Sequence, residues 1–154
     1  MQKVIKIIIL LIFLFVIGIF YVSLTRDTNY NTSSLINKDT PEFKIISFDE
    51  SNFYTRDDIK KNDFTLINFW SSWCAPCKIE HPVLMKLSQT KNLMILGINF
   101  KDKELQAKTF LSELGNPYDL LAKDKNGKQS VKFGIYGIPE SILINKELMI
   151  IQKF

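Results

Sequence analysis

The chain has 154 residues, two cysteines, one histidine and a formal charge of +4, with 46% of its residues hydrophobic and a mean hydropathy of +0.03. That length accommodates one ordinary domain and an appendage but not two full domains. Two cysteines exclude a disulfide-stapled scaffold and leave a redox couple or part of a small metal site. The basic excess is local: Lys3, Lys6 and Arg26 precede the first acid, Asp27, and from there on 17 basic residues face 16 acidic ones. So dispersed a balance makes no case for nucleic-acid binding.

The apolar excess is local too, since about 16 of the 18 residues from Ile7 to Leu24 are apolar. A helix needs about 20 apolar residues to cross a bilayer core of about 30 Å, and Val4 to Leu24 supplies them with only Lys6 near the edge, where its amine can snorkel to the interface. A cleaved signal peptide is the rival reading. It is disfavoured because the stretch exceeds the usual ~7–15 residues and no small-x-small pair follows in Tyr21-Val22-Ser23-Leu24-Thr25-Arg26. Residues 1–26 therefore read as an uncleaved single-pass anchor. Lys3 and Lys6 on its short side, against Arg26 offset by Asp27, favour an inside amino terminus and an outside domain.

Residues 27–40 are rich in Asn, Ser and Thr, end at Pro41, and read as a linker. The domain then occupies 41–154. Phe43 to Phe48 is a short strand candidate, and Thr65 to Trp70 an apolar central one of the kind covered on both faces. A helix is predicted over Ala75 to Thr90, with Ile79, Val83, Leu84 and Leu87 on one face and a kink at Pro82. Leu93 to Phe100 is the next buried strand, and Lys103 to Leu114 the next helix, closed by Gly115-Asn116-Pro117. Tyr118 to Ala122 is a further strand candidate, followed by a turn at Lys125-Asn126-Gly127. Ser141 to Asn145 and Leu148 to Gln152 form a strand pair around a polar turn at Lys146-Glu147. The order β, α, β, α and then a strand pair implies an α/β fold, a mixed sheet with helices on its faces.

Both cysteines lie in Trp73-Cys74-Ala75-Pro76-Cys77, where the central strand hands over to the helix. Two intervening residues let the sulfurs close a small disulfide in the first helical turn, and Pro76 suits that turn because its missing N–H has no partner there in any case. The unpaired N–H groups and dipole of a helix N-terminus stabilise a thiolate on Cys74, which makes it the attacking sulfur. Cys77, one turn further in and expected to be less exposed, resolves the mixed disulfide. Two alternatives are weaker: buried cysteines used as small hydrophobes rarely fall at this spacing and junction, and zinc on Cys74, Cys77 and His81 lacks a second ligand pair. Covalent haem attachment is ruled out because Lys78, not His, follows Cys77. His81 reads as a solvated or satisfied helix residue. Glu80, one turn past Cys77, is placed to exchange protons with a sulfur or to raise its pKa, or else is an ordinary surface carboxylate. Ile138-Pro139 opens a strand after Tyr136-Gly137, where a cis bond would form a tight turn and leave the backbone of Ile138 free for an incoming peptide.

At these separated positions the chain resembles the thioredoxin superfamily: Trp-Cys-x-Pro-Cys after a central strand, Pro82 eight residues past Cys74, and Pro139 before a strand. Within it, the chain is similar to the membrane-anchored DsbE/CcmG group of thiol:disulfide interchange proteins. Ile67-Asn68-Phe69-Trp70, Glu80-His81, Asn99-Phe100-Lys101-Asp102, Leu114-Gly115-Asn116-Pro117-Tyr118 and Gly134-Ile135-Tyr136-Gly137-Ile138-Pro139-Glu140 carry that similarity. The resemblance implies a thioredoxin-like domain and a reductase on the periplasmic face of the bacterial inner membrane. It implies that Cys74 and Cys77 keep the cysteines of apocytochrome c, or of a CcmH-like dithiol partner, reduced, and that a DsbD/CcdA-type membrane donor re-reduces them. No cofactor or metal is implied. Trp73 and Pro76 complete the motif, and Glu80, Pro139 and Glu140 are the supporting residues. The resemblance also implies a carboxy-terminal helix that the sequence to Phe154 does not contain. Two other functions stay open: a TlpA/ResA-like thiol reductase with another client, and a non-catalytic module that docks apocytochrome.

Overall fold

The computed structural model describes residues 2–25 and 35–154, as two units. Residues 1 and 26–34, with the end of the predicted anchor and most of the predicted linker, lie outside the described residues.

The amino-terminal unit is a single helix, α1 (Gln2–Thr25), with no buried residue in its 24. At 1.5 Å per residue it is about 36 Å long; it has no acid, its lysines Lys3 and Lys6 lie near its start, and it is long and apolar enough to cross a membrane.

The second unit is built on a seven-stranded sheet. In chain order its elements are β1 (Lys44–Ser47), β2 (Phe53–Thr55), α2 (Arg56–Ile59), β3 (Phe64–Trp70), α3 (Ala75–Leu87), β4 (Leu93–Phe100), α4 (Glu104–Leu114), β5 (Leu120–Asp124), α5 (Lys128–Lys132), β6 (Glu140–Asn145) and β7 (Ile150–Lys153). The sheet order is β2-β1-β5-β4-β3-β6-β7, with β3, β4 and β5 parallel and every other pairing antiparallel. It is the mixed sheet with flanking helices that the element order predicts.

The pleat of β3 sorts its side chains onto two cores. Ile67 and Phe69 join Phe43, Ile45, Leu96, Ile98, Phe133, Ile142 and Ile144 on one face, where the rings of Phe43 and Phe69 lie 5.2 and 5.5 Å from that of Phe133. Leu66 and Trp70 face the other way and pack with Ile95, Leu84, Ala107, Phe110, Tyr118 and both cysteines. The helices α3 and α4 supply that second face, so the motif is seated on the sheet's apolar underside.

Three short elements escape the sequence reading. β2 and α2 are three and four residues long, the latter opened by Asp58 accepting from the N–H and the hydroxyl of Thr55, and α5 has five residues. None is long enough to show a period of 2 or 3.6. The pattern on α3 also differs from the expected one: Ile79 and Val83 are 80% and 56% exposed, while Cys77, His81 and Leu84 are buried. Of the predicted apolar face Leu84 is buried, and the polar His81 is covered as well, edge-on to Phe110 of α4 with ring centroids 5.0 Å apart. The predicted linker contributes structure as well. Asn37 N–H bonds the Ile150 carbonyl, Ile150 N–H bonds the Lys38 carbonyl, and Thr40 N–H and hydroxyl both bond the Leu148 carbonyl. Leu35 packs on the first core. Residues 35–40 look polar in sequence because they are held largely by their backbone.

Candidate active site

β3 ends at Trp70, and four residues later the chain enters α3 with Cys74 as its N-cap and Pro76 in the first turn. Cys74 and Cys77 form a disulfide with an S–S distance of 2.07 Å and a Cα–Cα distance of 5.3 Å. The Sγ of Cys74 accepts the backbone N–H of Cys77 at 3.2 Å. Such a donor stabilises a thiolate more than a thiol, and the α3 dipole acts in the same direction. Exposure hardly separates the two residues: Cys74 is 4% exposed and Cys77 3%, both buried. Their hydrogen-bond environments distinguish them instead.

The approach to the motif is braced by Asp102. Its carboxylate accepts from Ser72 N–H (2.6 Å), the Ser72 hydroxyl (2.8 Å), the Asn99 amide (3.0 Å) and Lys103 N–H (2.8 Å). Burial pushes the Asp102 carboxyl up, but these donors outweigh it and hold it below the ordinary value. Trp73 is exposed, with its indole N–H on the Lys101 carbonyl at 3.2 Å. The Ile138–Pro139 bond is cis.

On the α3 face shared by Cys77, Glu80, His81 and Leu84, Glu80 is half-buried, and its Oε1 accepts from Asn68 Nδ2 at 2.9 Å. Burial raises its carboxyl above the ordinary value, and the Asn68 bond pulls the other way. Asn68 Nδ2 also donates to Ser141 Oγ (3.0 Å), and Asn68 Oδ1 accepts from the Tyr118 hydroxyl (2.9 Å). Burial, with the Glu80 charge, lifts the Tyr118 phenol well above its usual range, so it stays protonated. A buried polar network thus ends on the carboxylate one turn from Cys77.

The AhpC/TSA family profile matches residues 36–153. The chain belongs to that family. It is 34% identical over its whole length to the thiol:disulfide interchange protein DsbE of Pseudomonas fluorescens biotype C, of which it covers 85%. It is 47% identical over 93 residues, 60% of the chain, to the thiol:disulfide interchange protein CycY of Rhizobium leguminosarum bv. viciae, and that match spans half of CycY. In structure it is similar to the thioredoxin domain of a thiol-disulfide oxidoreductase from Bacteroides vulgatus, with a TM-score of 0.65, 25% identity, and 77% of this chain and 86% of that one covered. Within the AhpC/TSA family the chain is thus a thioredoxin-like thiol:disulfide interchange protein with a Cys74–Cys77 pair.

The other predicted residues of this AhpC/TSA domain fall in different places. Glu140 does not face the network. Its Oε1 accepts the N–H groups of Tyr136 and Gly137 at 3.1 Å each, and its Oε2 pairs with Lys153 at 2.6 Å, so it ties the loop before Pro139 to β7. His81 is buried, not solvated, and its Nε2 lies 3.0 Å from the Gly115 carbonyl. The contact gives His81 Nε2 a partner, and among the described residues no group of three His, Cys, Asp or Glu side chains is placed to hold a metal ion. Asn68, Tyr118 and Ser141 were given no role from sequence. The available signal was Asn68, a lone amide inside Leu66-Ile67-Asn68-Phe69-Trp70.

Proposed function

We propose that the chain is a membrane-anchored reductase of protein disulfides, held by α1 in the bacterial inner membrane with its domain in the periplasm. In this reading it keeps the cysteines of apocytochrome c, or of a CcmH-like partner, reduced during cytochrome c maturation, and a DsbD/CcdA-type membrane donor returns its own pair to the dithiol. The observation that carries the reading is Cys74 as N-cap of α3, its sulfur on the Cys77 N–H, with the half-buried Glu80 one turn beyond. In this reading residues 1–26 act as the anchor, 27–40 as its connection, of which 35–40 also bond to the strand pair at 148–150, and 41–154 as the reacting domain.

In the reduced enzyme the Cys74 thiolate attacks one sulfur of the client disulfide. The S–S bond breaks, a mixed disulfide forms, and the released client thiolate takes a proton from water. Cys77 then gives its proton to the Glu80 carboxylate, directly or through one water, and its sulfur attacks Cys74. The second client thiolate leaves and is protonated. Two electrons have passed from the dithiol to the client. Pro76 sets the helical turn that spaces the sulfurs, Trp73 offers an apolar surface beside them, and Pro139 with Glu140 shapes the neighbouring loop.

A Cys77→Ala variant tests this reading, because it can form the mixed disulfide but cannot resolve it. Expressed as the full chain in a cytochrome c-producing bacterium, it should accumulate a disulfide-linked adduct through Cys74 containing apocytochrome c or a CcmH-like protein. A trapped copper-site or spore protein would replace the client with that of a TlpA/ResA-like reductase. A protein that binds apocytochrome yet traps nothing would be a docking module.

A further inference from the structure

We infer that Asn68 is a positioning residue for dithiol exchange: its amide, oriented by Tyr118, holds the Glu80 carboxylate in proton-accepting form on the Cys77 face of α3. The inference rests on the proposed role of Glu80 and adds the residues that set its working range.

Asn68 is 0% exposed and lies between Ile67 and Phe69, which are also fully buried. Burying an amide in such a place is costly unless each of its groups is paired. Here each is: both donors are used, on Glu80 and Ser141, and the carbonyl accepts from Tyr118. The pairing is arranged across three strands. In register, Asn68 stands opposite Ser141 of β6 and Gly97 of β4. A Cβ on Gly97 would lie 2.5 Å from the Tyr118 ring, so the absence of a side chain there is what lets that ring lie over the sheet and reach Asn68. An apolar residue at position 68 would fill the same space without this apparatus.

The arrangement also has a direction. A flipped amide would turn its carbonyl oxygen toward the Glu80 carboxylate, and the Tyr118 hydroxyl, donating to Oδ1, selects against that. The Asn68 N–H bond is stronger to an ionised than to a neutral carboxyl, so it opposes the burial that favours protonation. The groups facing Glu80 from the surrounding elements leave Asn68 as the donor that does so. On α3 these are Cys77 one turn before it and the apolar Leu84 one turn after, with His81 committed to Gly115. From the segment before β5 comes Tyr118, from β3 Asn68, and from β6 the neutral Ser141. Glu140 at the start of β6 is engaged by Lys153 of β7. The remaining rim, Leu66, Val83, Leu84, Leu87 and Phe154, has apolar side chains, and the main-chain carboxylate of Phe154 accepts from Ser141 N–H at 3.2 Å.

The test uses the full chain in detergent micelles, with a model cysteine peptide disulfide-bonded to Cys74. Single-turnover resolution by Cys77 is followed against pH, and the Glu80 carboxyl is titrated by ¹³C NMR, its signal assigned as the one lost in Glu80→Gln. In the wild type the acid limb of the rate should coincide with the Glu80 titration. Asn68→Leu should move both to higher pH, which at a fixed pH on the limb reads as about tenfold slower resolution. Tyr118→Phe should move both the same way by about two- to threefold in rate, and decides the matter if Asn68→Leu does not fold. If both variants lose thermal stability but keep the wild-type pH profile, Asn68 is structural and the inference is overturned. If Glu80→Gln itself keeps the acid limb, the role of Glu80 fails first. If Glu80→Gln abolishes the limb while the other two leave it unmoved, only the inference fails.

Discussion

Replacing Gly97 by alanine tests whether the site is held together as tightly as its contacts require. The new methyl would stand 2.5 Å from two carbons of the Tyr118 ring and 2.8 Å from a third, so ring or strand must move by about 1 Å to restore ordinary contact. The ring has little room to retreat. Its other neighbours include Trp70, stacked at 5.5 Å between centroids, and Trp70 in turn meets Phe110 at 5.2 Å. Overpacking of this kind costs about 1–3 kcal/mol, and losing the hydroxyl bond to Asn68 adds about 1 kcal/mol. With a urea slope of about 1–3 kcal/mol/M for a domain this size, the midpoint should fall by on the order of 1–2 M. The decisive comparison is a double-mutant cycle by urea unfolding. In a Tyr118→Ala background the ring is gone, so Gly97→Ala should cost almost nothing, and the two losses should be strongly non-additive. A Gly97→Ala protein with an unchanged midpoint, or losses that simply add, would refute the packing argument.

Glu80→Gln should raise the melting temperature at pH 7 and have little effect at pH 4. Burial raises the folded-state pKa of Glu80, so folding binds protons, and the wild type loses stability as pH rises through that window while Gln does not. Asp102 has the opposite sign, its folded-state pKa being lowered by the donors around it. Its contribution is present above the unfolded carboxyl value and is lost as pH falls below about 4. A melting series should therefore show wild type and Asp102→Asn converging in acid and separating at neutral pH. Lys153→Met removes the cation 2.6 Å from Glu140 in a buried pair. It should cost about 3–5 kcal/mol by urea unfolding, with Glu140→Gln in the same chain recovering part of the loss.

The helices and strands that position the site were legible in sequence because each is long enough to show its pattern: β3 and β4 as largely apolar runs, α4 between Lys103 and Gly115, and the motif at a strand-to-helix junction. The missed elements, β2, α2 and α5, have too few residues for a period: β2 is held at the sheet edge, α2 by the Thr55–Asp58 bonds, and α5 by Asp124, which accepts from the N–H and hydroxyl of Ser130. Within the site, spacing puts Cys74, Cys77 and Glu80 in the first turns of one helix, and the half-buried position of Glu80, which spacing left open, comes from the packing of α3 on the sheet. Glu140 was expected beside the sulfurs, but its oxygens are taken by two loop N–H groups and by Lys153, a partner 13 positions away in sequence that no local pattern reveals. Asn68 and Tyr118 are 50 positions apart and meet only because the register sets Gly97 beside Asn68. Ile79 and Val83 misled for the converse reason: helical spacing says which residues share a face, and the tertiary fold decides which face is covered.

The central claim is that the start of α3 makes two neighbouring cysteines chemically unequal. Its most direct test is the rate of alkylation of each thiol in the reduced full chain as a function of pH, read residue by residue by mass spectrometry. Cys74 should react first, with a thiolate pKa below the ~8.5 of a free cysteine, while Cys77 lags throughout the neutral range. Equal rates, or a faster Cys77, would contradict the account.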